Sequence, residues 1–314
     1  SFLQCGHFAL LLTGVDNLVI DNVLADTNRD AFDIDCCANV RITNCTVNSL
    51  NDDAIVLKSS YGLGWPKATE NVYIENCHVS GYDPGTVYDG TYGTSITAAP
   101  DRDGPTGRIK FGTESNGGFK NITISNCTFD HCRGLALETV DGAIIEDVTI
   151  DNIAMRDICN SPIYIRLGDR MRGPSTLPPS SVKDIRISHI NVSDADCRYA
   201  CLIAGLEGHP VRDVRISDLT IGYRGGITLD DVAQQRGCNP FFYEPARTDK
   251  SRGVRSYPEP SAHGLQPAWG FSINHAEDIT LRRVRLSTAT PDERPWLYEN
   301  NIKRLKMRNL KAEN

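Results

Sequence analysis

A short word repeats along this chain. Asn39-Val40-Arg41-Ile42-Thr43-Asn44 returns as Asn71-Val72-Tyr73-Ile74-Glu75-Asn76, as Asn121-Ile122-Thr123-Ile124-Ser125-Asn126 and as Asp147-Val148-Thr149-Ile150-Asp151-Asn152, with variants beginning at Asn17, Asp184, Asp213 and Asp278. The shortest interval, from Asn17 to Asn39, is 22 residues. Longer intervals are that unit plus an inserted loop. Alternating β-branched residues within each word mark a strand. About 22 residues is too short for a stacked helical repeat and suits a coil of three short strands. The repeat therefore predicts an all-β, right-handed, single-stranded parallel β-helix. Asn44, Asn76, Asn126 and Asn152 should form a ladder at a tight turn, where asparagine tolerates a left-handed backbone.

Repeat pattern is established by Asn17, with no basic leader before it, so the chain is expected to be one domain over 1–314 that lacks N-terminal coils. Loops are expected at about 59–70, 82–106, 168–181 and 222–268. The last is the longest and contains Pro240, Pro245, Pro258, Pro260 and Pro267. On a solenoid such loops gather on one face and build the binding cleft. No apolar run reaches the length of a membrane span. A net charge of −7 argues against a nucleic-acid partner. The eleven cysteines are an odd number, and Cys45, Cys77 and Cys127 fall at one place in successive repeats. A stack of free thiols explains that better than bridges, and no zinc-type pairing of Cys and His occurs.

One carboxylate cluster stands out. Asn28-Arg29-Asp30-Ala31 is followed one repeat later by Asn51-Asp52-Asp53-Ala54. Adjacent coils would lie about 5 Å apart, bringing Asp30, Asp52 and Asp53 into one patch. Crowded like charges cost stability and raise at least one pKa. Glycoside hydrolysis has a use for that arrangement, because it needs a protonated acid and a base. A simple Asx turn and a calcium site are the other readings of the same residues.

These motifs resemble the polygalacturonases of glycoside hydrolase family 28, over nearly the whole chain. That family carries Asn-Thr-Asp-Gly, then Gly/Asn-Asp-Asp with a following Ile-Lys, then Gly-His-Gly, then Arg-Ile-Lys, on four successive coils. Asn28–Ala31 resembles the first, and Asn51–Ala54 with the following run to Lys58 resembles the second. Thr106–Glu114, Arg133–Thr139 and Tyr257–Pro260 look like a bacterial branch. The resemblance implies an inverting hydrolase without a cofactor or metal, with Asp52 as general acid and Asp30 and Asp53 activating water. It also implies an acidic plant polysaccharide or oligosaccharide as partner and a periplasmic or secreted location.

Two departures stand against the pattern. The third slot reads Thr106-Gly107-Arg108 and has no histidine; His209, before Pro210, reads as a turn residue and does not replace it. The fourth slot reads Leu135-Ala136-Leu137-Glu138, while Arg108-Ile109-Lys110 stands one coil early. Arg108 and Lys110 share a strand face and are candidates to grip a uronate. Lys58, Glu138 and Arg166 are further candidate substrate contacts, as are Arg170 and Arg172 beside it. Tyr257 and Trp269 are candidate sugar-stacking rings. The long loops favour exo action or a decorated pectin. A calcium-dependent polysaccharide lyase and a non-catalytic carbohydrate-binding β-helix are the rival functions.

Overall fold

The computed structural model describes residues 1–99, 103–238 and 257–314. Strands in these residues pair in parallel, coil upon coil, and build the β-helix that the repeat predicts. Each coil contributes to three faces. Face 1 stacks Leu10–Thr13, Phe32–Asp35, Ile55–Ser59, Ile109–Ser115, Leu135–Thr139, Ile163–Leu167 and Cys201–Ala204. The repeated word forms face 2, where the register runs Ile20, Ile42, Ile74, Ile124, Ile150, Ile187, Ile216, Leu281. That column is buried along its length and is one file of the continuous core. Face 3 continues each word after its second turn. No helix among the described residues is long and apolar enough to cross a membrane.

Asparagines at both ends of the word adopt positive φ, which turns the chain between faces. Asn76 donates to Asn44 at 3.1 Å and Asn152 to Asn126 at 2.7 Å, as expected. The ladder is interrupted between them, because Asn126 donates to Glu75 at 3.3 Å instead of to Asn76. A second ladder runs through the first asparagine of the word. Asn39 donates to Asn17, Asn71 to Asn39 and Asn121 to Asn71, at 3.1, 3.0 and 2.7 Å.

Chain added to a coil leaves it at the corners. Ser59 to Thr69 and Leu167 to Ser181 span corners between faces 1 and 2, and Ser80 to Ile109 and Gly225 to Phe271 span corners between faces 3 and 1. All four insertions therefore border face 1. The longest begins later than residue 222, because the strand Val211–Gly225 keeps pairing with the next coil up to Gly225. It opens with the short helix Leu229–Gln234, and Pro240 and Pro245 lie outside the described residues.

The cysteine stack has a plain physical cause. Cys127 is in register with Ile153, and the column continues through Ile190, Leu219 and Val284. Cysteine thus occupies an interior aliphatic column as a small apolar residue. All eleven cysteines are free thiols in the structure. Titration of the denatured, unreduced protein should accordingly find about eleven thiols per chain; four or five bridges would contradict the apolar-column account.

Candidate active site

Asp30 and Asp53 occupy equivalent turns entering face 1 on neighbouring coils. The Asn51 side-chain amide donates to Asn28 Oδ1 at 2.7 Å and its backbone N–H to Asn28 O at 2.9 Å, which fastens one turn on the other. The Asp53 N–H then donates to Asp30 Oδ1 at 3.1 Å. One oxygen from each of Asp30, Asp52 and Asp53 lies within 4.8 Å of the others, as the one-repeat spacing predicts. Asp30 and Asp53 are buried and Asp52 is half-buried, so Asp52 is the member that solvent reaches most readily.

Among the described residues, four cations contact this trio. Arg29 pairs with Asp52 at 2.9 Å, Lys58 with Asp30 at 3.2 Å, and Arg108 and Lys110 with Asp53 at 2.9 and 3.4 Å. A divalent ion seated among the carboxylates would have to displace them. Burial raises Asp30 well above the ordinary carboxylate range; Asp52 adds to the rise and Lys58 opposes it. Burial also works against ionised Asp53, but Lys110 and Arg108 outweigh it and hold Asp53 down at about 2. The trio is thus electrically divided, with a proton favoured on Asp30 and charge fixed on Asp53. Lys58 also pairs with buried Asp33 at 2.5 Å, and burial lifts Asp33 to about 6.

Arg108 and Lys110 lie on the coil directly after Asp52 and Asp53, with Lys110 in register with Val56. Gly107 permits the approach. It has positive φ, its N–H donates to Asp52 O at 2.9 Å, and a Cβ there would lie 2.0 Å from Ser80 O. Arg108 and Lys110, the candidates to grip a uronate, are both buried, at 1% exposure each, and are engaged by internal partners. Arg108 donates to both oxygens of Glu259, at 2.6 and 3.3 Å, besides Asp53. Lys110 donates to Thr113 at 3.1 Å and Tyr257 Oη at 3.0 Å. Arg133 meets Glu259 from the other side at 2.9 Å. An internal carboxylate, Glu259, therefore takes the guanidinium contacts of Arg108 and Arg133.

Other expected contacts separate as follows. Glu138 is fully buried, 3.8 Å from Arg108 and 3.6 Å from Lys110, and neither of its oxygens accepts a hydrogen bond. Burial lifts it to about 8. It has no exposed surface to offer a substrate. Arg166 is buried on the far side of Glu138, in register with it and away from the trio. Trp269 is corrected outright: it is 2% exposed, belongs to the hydrophobic core and packs edge-on against Tyr223. Tyr257 keeps 42% exposure while its hydroxyl is fastened to Lys110, so its ring remains available beside the site. Arg170 donates to Asp141 and lies 3.5 Å from Glu114, which in turn is 3.9 Å from Lys58. Arg172 is exposed.

Glu259, Arg133, Asp33 and Arg29 were not singled out from sequence. Arg29 was legible, since it replaces Thr in the first motif. Glu259 was legible only as part of Tyr257–Pro260, with nothing to indicate its partners 151 residues away.

A family description, Glycosyl hydrolases family 28, matches residues 12–239. A polygalacturonase of Cochliobolus carbonum is 25% identical over 186 residues, 57% of this chain and 43% of its own. Endopolygalacturonase A of Aspergillus niger is 28% identical over 235 residues, 69% and 53% of the two chains. The chain spans about half the length of the curated relatives it matches. Among solved structures, a hyperthermoactive exopolygalacturonase from Thermotoga maritima matches 66% of this chain and 43% of that one, at 20% identity and a TM-score of 0.48.

The two buried glutamates should respond oppositely to amide replacement. Glu259→Gln leaves Arg108 and Arg133 buried beside a neutral group and should cost about 3–5 kcal/mol in urea unfolding. Glu138 has a folded-state pKa raised to about 8. Its ionisation therefore favours the unfolded chain as pH rises above about 4. Glu138→Gln should be as stable as wild type or more so at pH 7, with any gain shrinking towards pH 4. A large loss at pH 7 would show that ionised Glu138 is needed.

Proposed function

The chain belongs to the glycosyl hydrolases of family 28, and from that premise we propose that it hydrolyses a glycosidic bond in a galacturonate-containing pectic polysaccharide or oligosaccharide. The single observation that carries the reading is the divided trio. Three carboxylates within 4.8 Å include one that cations keep charged and one that burial drives towards its protonated form. Such a set can hold and move a proton at the pH where pectin is soluble and acidic.

In this reading Asp52, the carboxyl most open to solvent, protonates the glycosidic oxygen as the bond breaks. Arg29 must first swing away from Asp52 to admit that oxygen. Asp30, in its ionised form, and charged Asp53 together accept a proton from water as its oxygen bonds to the anomeric carbon. Lys58 and Arg29 are the cations at the solvent edge of the trio, and Tyr257 offers an exposed ring beside Lys110. They would receive the acidic sugar. A polymeric plant substrate implies a periplasmic or secreted enzyme.

Exo action is supported by the strap formed by residues 257–266. Tyr257, Glu259 and His263 contact Lys110, Arg108 and Tyr164, covering face 1 on the coils that follow the trio. The outward side chains Ala136 and Tyr164 are buried as a result. A polymer reaching the trio would end against this strap.

Inversion comes from the family likeness. Inverting carboxyl groups commonly stand ~6.5–9.5 Å apart and retaining ones ~5–5.5 Å; the 4.8 Å here lies between single oxygens and fits either class. For inversion, the water must sit beside the Asp30–Asp53 pair rather than between it and Asp52. NMR of the first-formed sugar, before mutarotation, decides between them: the inverted anomer is expected, and a retained one would assign a carboxylate as nucleophile.

Asp52→Asn should lower kcat by about 10²–10⁴-fold while leaving the fold intact, because an amide cannot donate the proton. An active variant would place the acid elsewhere. The acid limb of kcat/KM should lie above the ordinary carboxylate value of about 4, because Asp30 is raised. Lys58 opposes that rise, so Lys58→Met should move the limb to higher pH; a shift to lower pH would remove Asp30 from the base.

A further inference from the structure

Past the strap, on the same outer face, a cavity of about 730 Å³ opens. This is within the ~300–1,000 Å³ usual for ligand sites. Its floor continues the two outward files that begin beside the trio. One file runs Lys110, Ala136, Tyr164, Leu202, Ser272, Tyr298; the other runs Glu138, Arg166, Ala204, Asn274, Asn300. The strap divides the files. Its near end meets Arg108 through Glu259, while its far end supplies His263 and Gln266 to the cavity wall. His263 is fixed there by Tyr164, 3.2 Å from Nε2.

The chemistry of this cavity differs from that beside the trio. Its charged lining groups are Arg166, Asp169 and Glu207. Among these three groups one positive charge stands against two negative, a formal sum of −1 that gives an anion no net attraction. Asn274 and Asn300, both reached by solvent, supply amides that donate and accept. A sugar hydroxyl has the same double capacity. Tyr298 exposes 38% of its surface at the cavity edge, a ring face for the C–H side of a pyranose.

We propose that this cavity is a second saccharide site, taking an uncharged sugar residue such as a neutral branch on the acidic chain. That the ligand is a saccharide rests on the glycosidase reading above; that it is uncharged rests on the lining. The enzyme would then hold one substrate at two places of opposite electrostatic character, an acidic residue at the trio and a neutral one beyond the strap.

Calorimetry with the full chain tests this, using a neutral galactan trisaccharide and trigalacturonate as probes. The neutral probe should bind wild type and Asp52→Asn equally. Asn274→Ala/Tyr298→Ala should weaken it roughly tenfold or more, while hydrolysis of unbranched trigalacturonate stays unchanged. Both side chains are at least partly exposed, so the variant should fold. No binding of the neutral probe, binding indifferent to the double substitution, or equal competition by trigalacturonate would each overturn the proposal. Neutral binding that persists in a protein without turnover on any pectic substrate would sink the hydrolase reading and leave the second site standing.

Discussion

Parallel register between coils is the constraint on which everything else in this molecule depends. Each strand is held by the one before and the one after, so a residue's height is set by its coil and its direction by its place within the word. The column from Ile20 to Leu281 shows the consequence for packing. Aliphatic side chain stacks on aliphatic side chain from coil to coil within one continuous core, and burial of that file offsets the entropy of ordering the chain. The repeated asparagines solve the remaining problem. The backbone must turn sharply at each corner, and left-handed asparagine does so while its amide is satisfied by the asparagine one coil away.

The same register brings like charges together, and the cations around them show how that is tolerated. Asp30, Asp52 and Asp53 would repel one another if they stood alone. Arg108 and Lys110, on the next coil, are charged in turn and fully buried, and could not be left without anions. Glu259 answers that need from a segment distant in sequence, and so ties the longest insertion to the carboxylates. Stability and acid–base character are thus one network: what anchors the strap also keeps Asp53 ionised.

Sequence alone made the fold legible, because a 22-residue period with alternating β-branched residues has few physical solutions. Asp30, Asp52 and Asp53 were legible for the same reason, since residues one period apart must be neighbours. Arg108 and Lys110 are placed on their coil by the repeat, but their internal partners are not legible from it. Strand alternation tells which way a side chain points, and nothing about what covers it. The cover is Glu259 and Tyr257, at separations of 151 and 147 residues, outside any periodic relation. Trp269 failed differently. A candidate stacking ring by residue type, it precedes the strand Phe271–Thr290 by two residues and already belongs to the core. Glu138 drew attention because it stands where a family motif has a basic residue. Its burial depends on the same unseen strap.

The Asn28–Asn51 clasp has a consequence for how such a site can change over evolutionary time. Because Asp30 and Asp53 are carried by equivalent turns of successive coils, their separation is inherited from the strand spacing of about 4.8 Å. It is quantised. No gradual drift of backbone can widen the gap by an ångström, as a loop-borne pair could. The available moves are to exchange Asp for the longer Glu, to shift a carboxylate by two residues along its strand, or to skip a coil entirely. A solenoid enzyme therefore adjusts its specificity freely through insertions at the corners, while the distance between its reacting groups stays locked to the lattice of its own backbone.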